Sequence, residues 1–126
     1  IVDFKYYRDR APADCDMVKE SLERCTKAYG GIGSMTGDRA FDSPDVTTLL
    51  SEEEVTNYIL KRSPRLMAEA FEDPAFRTAQ RRRAQTEGRI GILKNVFIGD
   101  CLSVKGFENQ EIEVAWSILV HNFWVL

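Results

Sequence analysis

The chain has 126 residues, enough for one domain and too few for two that would stand independently. At 44% hydrophobic and 29% charged residues it has a globular composition, which excludes disorder, a collagen-like repeat or a disulfide scaffold. No apolar run approaches the roughly 20 residues of a membrane span, and a net charge of −3 does not by itself point to nucleic acid.

Ile1 to Arg10 (IVDFKYYRDR) alternates apolar and polar residues early and predicts a strand. Pro12 and Asp14 then open a helix whose first turn is acidic. Met17, Val18, Leu22, Cys25 and Tyr29 fall near helical spacing, and Gly30-Gly31 ends the run. Ile32 to Gly37 predicts a short strand leading into Asp38-Arg39. Ser43-Pro44-Asp45 has the chemistry of a helix start, with Ser as N-cap and Pro at the first helical position. Ser51 and Glu54 have capping-box spacing, so a further helical turn is expected there. Val55 to Leu60 (VTNYIL) predicts a strand closed by Lys61-Arg62-Ser63-Pro64, and Arg65 to Phe71 a short helix. Asp73-Pro74 starts a long helix expected to reach about Phe97, where Gly99 and Asp100 break it. Glu111 to Leu126 predicts an apolar final helix. The order of elements predicts an α/β (mixed α+β) domain over residues 1–126, with about three strands flanked by helices. Neither a signal peptide nor an initiator Met opens the chain, and both ends read as cut, as if from a longer protein.

Charge is distributed unevenly. From Arg77 to Lys94 the bases are Arg77, Arg81, Arg82, Arg83, Arg89 and Lys94 against one acid, Glu87. On a helix, Glu87 lies about 40° around from Arg83 and Lys94 about 20° from Glu87, so the three share a face. An acid flanked by cations suits a divalent ion beside a phosphate. The plainer reading is a solvated charged face with helix-spaced ion pairs. Asp38 follows a strand and precedes a turn, a common place for a metal-binding carboxylate in α/β folds; the plainer reading is a capping aspartate. Asp42 and Asp45 read as capping or surface residues. Three cysteines without a Cys-x-x-Cys pair, and a single histidine, His121, argue against zinc and fit reduced thiols. His121 is expected to be a core or helix-end residue bonded to backbone, and Trp116 and Trp124 to lie in the core or at an interface.

GDRAFDSPDVTTLL resembles the segment around the second catalytic aspartate of bacterial insertion-sequence transposases of the DDE class. RRRAQTEGRIGILKN resembles the segment around their third acid, with Arg83, Glu87 and Lys94 in register. IVDFKYYRDRAPADCDMVKESLER is similar to the strand and helix before that aspartate, and ILVHNFWVL to the closing helix, so the resemblance covers nearly the whole chain in order. Gln80 stands where one branch has Tyr, Ala40-Phe41 replace Gly-Tyr, and no acid matches the first catalytic aspartate.

The resemblance implies an incomplete ribonuclease-H-like fold and Mg²⁺- or Mn²⁺-dependent DNA cleavage and strand transfer in the cytoplasm of a bacterium. Asp38 and Glu87 would be metal-binding carboxylates. Lys94 would be catalytic, and Arg39, Arg81, Arg82, Arg83 and Arg89 would contact DNA. With one acid missing, the chain alone is expected to lack strand transfer. The bared core of such a fold predicts a homodimer through an exposed sheet edge or the apolar helix. The competing readings are a non-catalytic folded remnant that dimerises or binds a protein, and a small-ligand-binding α+β domain whose acids are structural.

Overall fold

A computed structural model describes Ile1, residues 3–99 and residues 102–126. Asp100, read above as a helix breaker, and Cys101, one of the three cysteines, lie outside the described residues. The elements run α1 (Asp14–Tyr29), β1 (Ser34–Gly37), a 3₁₀ turn (Arg39–Phe41), α2 (Pro44–Glu52), β2 (Thr56–Ile59), α3 (Pro64–Glu72), α4 (Pro74–Ile92), a π-helical stretch (Leu93–Ile98) and α5 (Phe107–Val125). The chain is a mixed α/β structure, mostly helical. Contacts group it into two compact units, one of Arg10–Arg83 and one of Ile1–Asp9 with Ala84–Leu126.

The Arg10–Arg83 unit is built on a parallel strand pair. Ser34 lies opposite Thr56, Met35 opposite Asn57, Thr36 opposite Tyr58 and Gly37 opposite Ile59. Its core joins Val18 and Leu22 of α1, Val46 and Leu50 of α2, and Val55 and Ile59 at β2, with Cys15, Met35, Phe41 and Leu49 packed against them. Helix starts follow local chemistry. Ser43 Oγ accepts from the Val46 amide at 3.2 Å, with Pro44 at the first position of α2. Asp73 accepts from the amides of Ala75 at 2.8 Å and Phe76 at 3.3 Å to open α4. Gly30 closes α1 in the left-handed region, φ 80°, where a side chain would be strained.

Three expectations are corrected here. Ile1–Arg10 is not a strand in its described residues, and the described sheet has two strands where about three were expected. A strand needs a partner edge, and this segment bonds to a helix instead. The Tyr6 hydroxyl donates to Gln110 Oε1 at 3.2 Å, Tyr6 stacks on Phe107 with ring centres 5.3 Å apart, and the Ile1 amino group donates to Asn122 Oδ1 at 2.7 Å. The extra helical turn at Ser51–Glu54 does not form. Those residues end α2: the Val55 amide donates to Leu50 O at 2.8 Å and the Glu54 amide to Ser51 O at 3.3 Å. That is a Schellman closure, with Glu54 in the left-handed position at φ 55°. Finally, regular α-helix stops at Ile92, and Leu93–Ile98 is π-helical until Gly99 (φ 79°) closes it.

In the other unit, α5 begins at Phe107, four residues before the expected Glu111, and turns Ser117, Ile118 and His121 inward. The Ser117 hydroxyl shares its one proton between Glu113 O at 2.9 Å and Phe97 O at 3.2 Å, joining α5 to the π-helical stretch. No described helix is long and apolar enough to cross a membrane.

Candidate functional site

Asp38 comes directly after β1, at the carboxyl end of the parallel pair. In open α/β sheets this edge is where connecting turns leave the strands and ligands bind. Its carboxylate is exposed, and Oδ1 accepts from the Ala40 amide at 2.8 Å, so it also caps the 3₁₀ turn. Both sequence readings of Asp38, a strand-end acid and a cap, describe one side chain.

The turn carrying Asp38 is fixed from β2. Arg62 Nε donates to Arg39 O at 2.9 Å, and its Nη2 donates to Ala40 O at 2.8 Å. The Arg62 amide donates to Asp42 Oδ2 at 2.7 Å, and Lys61 Nζ lies 3.4 Å from Asp42 Oδ1. Sequence reading missed this network. Lys61, Arg62 and Asp42 look like ordinary surface charges, and only the strand pairing brings the ends of β1 and β2 together. The signal available was a basic pair at one strand end and two acids after the other. Because Asp42 is engaged by Lys61 and Arg62, Asp38 is the more exposed carboxylate of this turn.

Gln80 has a definite place. Its Nε2 donates to Tyr58 O on β2 at 2.6 Å, and its Oε1 accepts from Arg83 Nε at 3.1 Å. The amide therefore ties the first half of α4 to the strand and orients the Arg83 guanidinium. Asp38, Arg39 and Arg83 all belong to this unit. Arg81 and Arg82 are exposed on α4, whereas Arg77 closes α3 by donating to Phe71 O at 2.6 Å and Glu72 O at 3.1 Å.

Glu87, Arg89 and Lys94 are exposed and belong to the other unit. Lys94 sits within the π-helical stretch. A π turn holds more residues than an α turn, so each residue advances less around the axis. Glu87 and Lys94 would share a face on a continuous α-helix, and the π-helical stretch makes Lys94 lag that register. Arg89 lines a cavity of about 440 Å³ with Thr86, Ile90, His121 and Asn122. His121 is buried as expected, but neither ring nitrogen has a hydrogen-bond partner among the described residues, which departs from the expected bond to backbone. Its ring packs edge-on against Phe97, centres 5.6 Å apart. Trp116 and Trp124 are each 62% exposed, so they are not core residues.

Among the described residues no three His, Cys, Asp or Glu side chains gather into a metal-holding group. Cys15 and Cys25 are free thiols. Comparison with protein-family models, curated proteins and solved structures gave no match.

Proposed function

We propose that this chain is a portion of a DDE-type transposase catalytic domain, acting on the phosphodiester backbone of DNA and unable to transfer strands alone. The observation supporting this reading is Asp38: an exposed carboxylate at the carboxyl end of a parallel strand, on a turn pinned by Arg62. Arg83, oriented through Gln80, is the cation in the same unit suited to a phosphate, because a planar guanidinium can donate two parallel bonds to phosphate oxygens. Arg39, Arg81, Arg82 and Arg89 would add affinity that ignores base sequence.

Mg²⁺ or Mn²⁺ fits these residues in kind, since hard cations take carboxylate oxygens and Asp38 offers one that is exposed. Asp38 is the residue here that would hold the ion; Glu87 is the second carboxylate that the resemblance implies. When bound, the ion would lower the pKa of an attacking water or hydroxyl and stabilise charge on the phosphate. This chain's own contribution is to hold the turn fixed and to supply cations for phosphate.

The test combines two readouts on the whole chain. Duplex DNA binding should weaken linearly with log salt, and Arg83→Ala should make that slope shallower by about one. Mn²⁺ binding, followed by water proton relaxation, should be weak and should disappear in Asp38→Asn. Absence of salt-sensitive duplex binding, together with Mn²⁺ binding indifferent to Asp38, would favour a non-catalytic folded remnant.

A further inference from the structure

Helix α5 has a buried face and an exposed apolar one. The inward one holds Ser117, Ile118 and His121. About 180° around the helix lies a second stripe, Ile112, Trp116, Leu119 and Phe123, spaced by four, three and four residues. That alternation is the seam repeat with which one helix packs along another. The stripe is open to water, with Ile112 56%, Trp116 62%, Leu119 43% and Phe123 68% exposed. No charged residue occurs from Val114 to Leu126. A surface helix of a monomer would carry Lys or Glu there.

We infer that this seam is a docking face for a second copy of the same chain, whose α5 lies antiparallel to the first. Three observations favour a second copy. With Val120 and Trp124 beside it, the stripe exposes roughly 600–700 Å², more than monomers leave bare. Doubled by symmetry, that reaches the roughly 1,200 Å² at which specific interfaces begin. The seam is also self-complementary. In an antiparallel pair each Trp116 faces Leu119 of the other copy and each Phe123 faces Ile112, so large side chains meet smaller ones at every layer. A parallel pair would set tryptophan against tryptophan and bring Glu108 and Glu113 of both helices to the same end. Antiparallel packing separates these acids and opposes the helix dipoles. The sheet edge is the poorer candidate, because the Ile59 amide of β2 already donates to Asn57 Oδ1 at 2.9 Å. The inference is independent of the proposed activity on DNA.

Sedimentation equilibrium of the whole chain over roughly 1–100 µM should show a reversible shift from monomer to dimer. Trp116→Glu should raise the dimer Kd by about 100-fold with an unchanged far-UV circular dichroism spectrum, as for a central aromatic anchor. A mixing experiment tests the register. Trp116→Lys and Leu119→Glu should each be monomeric alone and should form a heterodimer when combined, because the two positions meet only in the antiparallel pair. A monomer at every concentration would overturn the inference, as would a dimer indifferent to Trp116→Glu. Failure of the two variants to pair would overturn the antiparallel arrangement. A monomer that floats with phosphatidylcholine vesicles would assign the seam to a lipid surface instead.

Discussion

Replacing Asp42 tests whether the turn carrying Asp38 is held from β2. The side chain makes two contacts: a charge-assisted bond from the Arg62 amide at 2.7 Å and an ion pair with Lys61 at 3.4 Å. A hydrogen bond to a charged group contributes about 1.5–3 kcal/mol. The ion pair, whose side chains are 21% and 19% exposed, adds about 0.5–1 kcal/mol, above the median surface pair but below a sealed one. In Asp42→Ala water can reach the exposed Arg62 amide, which offsets part of the loss, leaving about 2 kcal/mol. Asp42→Asn keeps an acceptor and loses the charge, so about 1 kcal/mol is expected. Urea unfolding should be followed by hydrogen exchange at the Arg62 and Ala40 amides. Tryptophan fluorescence would not serve, because Trp116 and Trp124 both lie on α5, in the other unit. At about 1.4 kcal/mol per tenfold, protection of the Ala40 amide, whose own acceptor Asp38 is unchanged, should fall about 30-fold in the alanine variant and less in the asparagine variant. Equal protection in wild type and Asp42→Ala would refute the network as the support of this turn.

Two further outcomes follow from backbone and carboxylate geometry. Glu54 occupies a left-handed position that costs a residue with a side chain about 1–2 kcal/mol; Glu54→Gly should therefore stabilise the Arg10–Arg83 unit by about 0.5–1 kcal/mol after the entropy of glycine is counted, and a urea midpoint unchanged or lowered would contradict that account. Glu113 accepts from the Ser103 hydroxyl at 2.8 Å and from the Ser103 and Val104 amides. The hydroxyl bond chiefly holds its carboxyl below the usual glutamate range, and the amides add to this against partial burial. With a lowered folded pKa, the contribution to stability is complete above the ordinary glutamate range and is lost as pH falls through the lowered value. NMR titration should show the Ser103 and Val104 amides moving below that range and staying still in Glu113→Gln; a midpoint at or above the ordinary value would contradict the assignment.

What is legible in the sequence is mostly local. Ser43-Pro44 and Asp73-Pro74 mark helix starts because a cap and its amide targets lie within three residues. Gly30 marks a helix end because glycine takes the left-handed backbone without strain. Ser51 and Glu54 mislead because the same residue types that open a helix can also lie at its close, and spacing alone does not say which. Ile1–Arg10 misleads because strand-forming side chains do not supply a strand partner. The π-helical stretch leaves no compositional mark in LKNVFI. For the candidate site, Asp38 and the cations of α4 are visible as residues. The grip of Arg62 on Arg39 and Ala40 follows only from the pairing of β1 with β2, and the bridge from Gln80 to Tyr58 only from the return of α4 to β2; both join positions about 20 residues apart.

The direction of that strand pair also governs how the unit acquires its shape. Antiparallel neighbours can zip outward from a tight hairpin, but β1 and β2 run parallel, and the chain must travel back through α2 before the first rung can form. The entropy of closing that crossover is therefore spent before any inter-strand bond returns it. The rate at which the turn bearing Asp38 becomes ordered is accordingly tied to the docking of Val46 and Leu50, on the buried side of α2.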